Sequence, residues 1–259
     1  MNERIIKYPR TPHLNGSRLQ KGDEDLSQVP FSAIKDRYIV IEEKIDGANV
    51  AVSFSSEGDL LLQSRGHFLK GGYRERHYDL FKIWANENMD LLFSILDTRY
   101  IMYGEWMYAK HKVYYDALPD FFMEFDILDR ETGKFLSTDQ RKEKLQGTGI
   151  CSVPVLGEGI YQSQKQVLSL LGRSLYITDN HLEALKEEAE KLGLDYENVL
   201  RETDRSDLAE GLYIKVEENG EVVDRMKFVR LSYTQGIEVA ESRQEWLAKP
   251  IVRNKLMPK

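Results

Sequence analysis

Three consecutive runs rich in β-branched or apolar residues constrain this chain most: YIVIEEK (Tyr38 to Lys44), ANVAVSF (Ala48 to Phe54) and DLLLQSR (Asp59 to Arg65). Each has the length of a strand, and turn-like Asp-Gly and Glu-Gly-Asp segments separate them. Strand character returns at YIMYGEW (Tyr100 to Trp106) and FFMEFDIL (Phe121 to Leu128). A closing pair, GLYIKVE (Gly211 to Glu217) and VVDRMKFVR (Val222 to Arg230), meets at a turn-forming Asn219-Gly220. Between His77 and Leu96 the apolar residues fall at helical spacing. Residues 137–207 read as mainly helical, with a cap at Ser137 before a helix to Leu145 and a second at Asp179 or Asn180 before one to Lys191. The expectation is an α+β fold of mixed or antiparallel sheets, one domain over 1–259 with a helical insertion at 137–207.

Composition excludes several classes. With 41% hydrophobic and 31% charged residues the chain reads as globular rather than disordered. The start has no apolar core of signal-peptide length, and no run approaches the roughly 20 apolar residues of a membrane helix. Cys151 is the one cysteine, so no internal disulfide forms. A cytoplasmic protein with no membrane partner is expected. The net charge of −7 argues against a nucleic-acid partner, yet Glu183 to Glu210 alone holds ten acids against four bases. Elsewhere the sign reverses. Arg65 to His77 carries Arg65, Lys70, Arg74 and Arg76 against Glu75, and Lys249 to Lys259 carries four cations and no acid.

The segment EEKIDGAN, Glu42 to Asn49, bears the chemistry. A lysine ending a strand before a tight Asp-Gly turn can project its amine into a cleft, leaving backbone N–H groups for phosphate oxygens. Lys44 could then act as a nucleophile through nitrogen. Its protonation opposes this, since about one lysine in a thousand is neutral at pH 7. Neighbouring cations or a metal ion are therefore expected close by. The bland alternative is a hairpin turn carrying a surface lysine.

Taken in order, EEKIDGAN, QSRGHFL, YGEW, FMEFDIL, EGLYIK and RMKFVR resemble the motifs of the covalent nucleotidyltransferases, the ATP-dependent ligases and RNA capping enzymes. Lys44, Glu105, Glu210 and Lys227 stand 61, 105 and 17 residues apart, spacings of the family's kind. Within that superfamily the chain is most similar to ATP-dependent RNA ligases of the nick-sealing phage type and their bacterial relatives. Asn49 completes K-x-D-G-x-N, and only 29 residues follow Arg230, too few for the oligonucleotide-binding barrel of DNA ligases and capping enzymes. Those two enzymes are the alternative. The last motif departs from K-x-K, with Arg225 in the first position.

The resemblance implies an ATP-grasp-like adenylation fold whose sheets flank a nucleotide cleft. It implies ATP as the substrate that leaves AMP on Lys44, Mg²⁺ or Mn²⁺ as the metal, and RNA with 5′-phosphate and 3′-OH ends as partner, in the company of end-healing repair enzymes. Glu42 would read the adenine edge, Asp46 and Gly47 would shape the turn, and Asn49 would act on the adenylated RNA end. Arg65 would hold ribose or RNA phosphate, Glu105 a ribose hydroxyl, and Phe125 would stack on the purine. Glu210 would face the metal and the lysine, while Lys215, Arg225 and Lys227 would meet phosphates.

Overall fold

The computed structural model of the chain describes residues 4–19, 23, 26–234 and 250–258; Lys249 and Lys259 lie outside the described residues. The strands are β1 (His13–Leu14), β2 (Gln28–Val29), β3 (Tyr38–Lys44), β4 (Ala48–Phe54), β5 (Leu60–Ser64) and β6 (Tyr100–Trp106), then β7 (Phe122–Asp129), β8 (Lys134–Leu136), β9 (Cys151–Ser152), β10 (Val155–Ile160), β11 (Gly211–Glu218) and β12 (Glu221–Val229). The α-helices are α1 (Asp79–Glu87), α2 (Met89–Leu96), α3 (Thr138–Leu145), α4 (Gln164–Leu168), α5 (His181–Lys191) and α6 (Tyr196–Arg201). None is long and apolar enough to cross a membrane among the described residues.

The strands form one hydrogen-bonded ladder in the order β10-β3-β11-β12-β8-β7-β6-β4-β5, mostly antiparallel, with β1, β2 and β9 beside it. Five strands separate β3 from β4 in that order, about 29 Å at 4.8 Å per strand if the sheet lay flat. Yet only Ile45, Asp46 and Gly47 connect them, a span of at most about 15 Å. The sheet must therefore double back. It does so at β8, which touches β12 through two residue pairs and β7 through two. Two half-sheets result, β10-β3-β11-β12 and β7-β6-β4-β5, facing each other across a cleft. Since β3 and β4 do not pair, the Asp-Gly segment is no hairpin turn. It is the bridge between the halves.

Period-two alternation assigns the faces. In the first half Ile39, Ile41, Leu212, Ile214, Val216, Met226 and Phe228 form an apolar outer face with Leu14 and Val167. Their alternates, Glu42, Lys44, Tyr213, Lys215, Arg225 and Lys227, share the inner face by register. In the second half Val50, Val52, Phe54, Met102, Trp106 and Phe122 pack outward against Phe81, Ala85, Leu92 and Leu96 of α1 and α2. A third cluster, with Ala51, Tyr103, Met123, Phe125 and Val229, lies between the halves.

Most of the expected elements form, with three differences. The helix over 77–96 divides at Asn88 into α1 and α2. Ser137 does cap α3, accepting from the Gln140 N–H, whereas Asn180 takes the cap position of α5 without a side-chain bond. Segment 137–207 is only partly a helical insertion, because β10 within it pairs antiparallel with β3 and becomes a strand of the sheet.

Candidate active site

Lys44 ends β3 opposite Gly211 of β11, so Glu210, just before that strand, comes within reach from 166 residues away. The Lys44 Nζ donates to Glu210 Oε2 at 2.6 Å; the lysine keeps 20% of its side chain exposed and the carboxylate 1%. Burial would favour the neutral amine, but Glu210, then Glu105 and Asp46, hold the pKa above the ordinary lysine value. Carboxylates thus dominate the surroundings of Lys44. The nearby cation is Lys227, whose own pKa is lowered by burial and then by Lys44, against the raising effect of Asp23.

The bridge is fixed on both sides. Asp46 Oδ2 accepts from the backbone N–H groups of Lys112 and Val113 at 2.8 and 3.0 Å, and His111 approaches Oδ1 at 3.7 Å. The Asp46 N–H donates to the Tyr115 hydroxyl at 2.8 Å. Burial would raise the Asp46 pKa, but His111 and these donors bring it below the usual carboxylate range. Gly47 is demanded by close approach: a Cβ there would lie 2.5 Å from Met107 Sδ and 3.1 Å from the Trp106 carbonyl oxygen. The 107–118 loop is in turn tied to the chain's end, where Asn254 accepts from Tyr115 N–H at 3.0 Å and donates to the Met107 carbonyl at 2.7 Å.

Across the cleft, Asn49 of β4 pairs with Glu105 of β6, and Val50 pairs with Ser64, which sets Arg65 beside Asn49 on the other side. Glu105, Asn49 and Arg65 therefore form a row over three strands. Glu105 Oε2 is shielded from water and has no hydrogen-bond partner. Burial pushes its carboxyl up to about 8, Lys44 pulling it down and Glu210 and Asp46 adding to the rise. An unsatisfied acid of this kind, shielded in a cleft, is costly unless a ligand completes it.

Not every predicted residue joins this group. Glu42 is fully buried and paired with Arg141 at 2.9 Å and with Lys215 at 2.9 Å. Lys215 also meets Asp126 at 3.1 Å and donates to the Phe125 carbonyl, while Arg141 reaches Glu124 and Asp126 at 3.4 and 3.5 Å. This is a closed ionic network between the half-sheets. Phe125 and Arg225 gather around Tyr8 instead: the Tyr8 ring lies 4.9 Å from that of Phe125, and the Arg225 guanidinium lies 5.2 Å from Tyr8 and 4.0 Å from Phe135.

Several participants escape a reading of the sequence. Asp23 accepts from Lys227 Nζ at 2.5 Å and sits 3.1 Å from His13 Nε2, whose Nδ1 is 2.7 Å from Ser17 Oγ. The polar, turn-rich N-terminal segment thus supplies partners to Lys227. Arg141 lies in the polar helix α3, where only the buried acids of YIVIEEK and FMEFDIL hint that a cation must come.

The donors suit a hard divalent cation in part. Glu210 and the open Glu105 oxygen offer carboxylates, but among the described residues no group of three His, Cys, Asp or Glu could hold an ion unaided. Substrate phosphates and water would have to supply the remaining ligands.

A family model described as RNA ligase matches residues 37–229. The fold is similar to that of an RNA ligase from Naegleria gruberi, solved in two mutant forms with ATP and Mn. Identity is 16% and TM-scores are 0.52 and 0.51, over 88% of this chain and 57% of that one. It is also similar to an archaeal ATP-dependent RNA ligase, at 16% identity and a TM-score of 0.50, over 88% of this chain and 49% of the other. This chain thus spans little more than half the length of the solved structures it matches. No curated protein matches it by sequence.

Proposed function

The chain belongs to the RNA ligase family, and from that premise we propose that it joins RNA ends at the expense of ATP through an AMP adduct on Lys44. The observation that carries this reading is the buried 2.6 Å contact of Lys44 with Glu210, in a cleft that also holds Lys227 and the unpartnered Glu105 oxygen.

Lys44 Nζ attacks the α-phosphorus of ATP; an N–P bond forms, the bond to the bridging oxygen breaks, and pyrophosphate leaves. Lys44 attacks as the neutral amine: its ammonium proton passes to solvent water once Glu210 is drawn to another partner, because burial then favours the neutral form. Lys227 faces the charge that develops on the α-phosphate and exchanges Asp23 for a phosphate oxygen. Glu105, still carrying its proton near neutral pH, can donate to or accept from a ribose hydroxyl. Glu210, together with substrate phosphates, would hold a divalent ion, Mg²⁺ or Mn²⁺, which would supply positive charge to the triphosphate. An RNA 5′-phosphate oxygen next displaces Lys44 from the adenylate, and a 3′-hydroxyl then displaces AMP to leave a phosphodiester. Asn49 and Arg65, in the row with Glu105, face the RNA end. Glu42, Lys215, Phe125 and Arg225 act as positioning residues that fix β3, β7, β11 and β12 around the cleft.

The test is incubation with α-labelled ATP and Mg²⁺, followed by ligation of RNA and DNA nicks. Acid-stable label on wild type and its absence from Lys44→Ala are expected. A label that survives Lys44→Ala, or none on wild type, refutes the first step. Labelling by GTP in place of ATP, or sealing of DNA alone, would favour the capping-enzyme or DNA-ligase alternative.

A further inference from the structure

Beside the reactive row the surface changes character. Arg65, His67, Lys70 and Tyr73, running from the end of β5 to the 3-10 turn Tyr73–Tyr78, are all exposed. One end of this band is Arg65, next to Asn49. At the other end Trp106 Nε1 donates to the His77 carbonyl at 3.2 Å, pinning the turn to the strand that carries Glu105. The band is therefore anchored beside the site at one end and to the outer face of the Glu105 strand at the other.

Its charge is arranged as well as its position. Glu75 is the only acid between residues 65 and 78, and it is buried and turned inward. Its carboxylate accepts from the backbone N–H groups of Lys70 and Gly71 at 3.1 and 2.7 Å and pairs with Lys82 at 2.9 Å. The acid thus shapes the loop and leaves cations outward. Tyr73 is 70% exposed, an unusual setting for a large ring, with the Arg76 guanidinium 5.7 Å from its centroid. Gly71 and Gly72, at φ 103° and 112° with open space where a Cβ would stand, keep the approach to the ring clear. A projecting aromatic ring among cations matches an unpaired nucleic-acid strand, which stacks bases on rings and lays phosphates on cations. A duplex has no free base to offer.

We propose that this band is the docking track for an unpaired stretch of the RNA next to the joining point, with one base stacked on Tyr73 and phosphates on Arg65 and Lys70. The inference rests on the ligase reading and names the strand form that the site grips.

The experiment compares wild type, Tyr73→Ala, Tyr73→Trp and Lys70→Ala. It measures labelling by α-labelled ATP, and fluorescence-anisotropy affinity for a 5′-phosphorylated single-stranded RNA and for the same sequence in a nicked, fully paired duplex. Labelling should be equal in all four, which also reports intact folding. Tyr73→Ala should bind the single strand about tenfold more weakly and Tyr73→Trp should bind like wild type. Lys70→Ala should flatten the slope of log affinity against log salt by about 0.7, one phosphate contact. The proposal is overturned if Tyr73→Ala binds the single strand within twofold of wild type, if Tyr73→Trp is as weak as Tyr73→Ala, or if the duplex loses as much. A wild type that labels but does not bind the single strand overturns it too. Absence of label on wild type instead sinks the ligase reading.

Discussion

Glu105→Gln should make the protein less sensitive to alkali while abolishing its chemistry. The ordinary value for this carboxyl is 4.5, and burial pushes it to about 8. Between those values the folded chain keeps a proton that the unfolded chain has released, so stability is greatest below pH 4.5 and declines as pH rises to 8. At about 1.4 kcal/mol per pH unit the whole displacement corresponds to about 5 kcal/mol. The residue retains some solvent access, so about half of this, 2–3 kcal/mol, is the expected loss. Glutamine has no proton to lose, and its amide can occupy the same space. Thermal melts without nucleotide at pH 5 and pH 8.5 read the difference directly. Wild type should drop by roughly 5–10 °C more than Glu105→Gln across that interval. Parallel pH profiles, or a steeper decline in the variant, would show that Glu105 is ionised in the resting site and would remove the neutral-acid role at the ribose.

Two further substitutions probe the frame. Arg141→Met leaves Glu42 and Asp126 buried with Lys215, and Glu124 with the Ser152 hydroxyl, so urea unfolding should show a loss of about 3–5 kcal/mol; a change below about 1 kcal/mol would mean the network is dispensable. Gly47→Ala drives a methyl toward Met107 Sδ and the Trp106 carbonyl, with an expected cost of about 1–3 kcal/mol and reduced labelling of Lys44. Adding Met107→Ala should return part of both, and failure of that rescue would place the strain elsewhere.

The long strands were legible because alternation is a local signal. YIVIEEK and YIMYGEW form strands over the residues their patterns mark. β10 was not, since VLGEGI breaks its apolar pattern with Gly157 and Gly159 and makes sense only against β3. The grouping of the motif residues was legible through motif order, and Lys44 does lie within electrostatic reach of Glu105, Glu210 and Lys227. What surrounds them was not. Asp23 and His13 sit in a polar, turn-rich stretch, and their roles arise from β1 lying along β12, a contact no periodicity announces. Arg141 looks like one more cation on a polar helix. Its partners give the hint, because three acids in buried strands cannot stand without positive charge.

The doubling-back of the sheet at β8 has a consequence for the proposed reaction. Lys44 belongs to one half-sheet, whereas Glu105 and Asn49 belong to the other, and between the two lie the cluster with Ala51, Phe125 and Val229 and the ion pairs of Glu42, Arg141, Lys215 and Asp126. The packing of that shared layer therefore sets the distance from Lys44 to Glu105. In the proposed reaction that layer, rather than the nucleotide alone, would fix the angle at which the Lys44 amine reaches phosphorus.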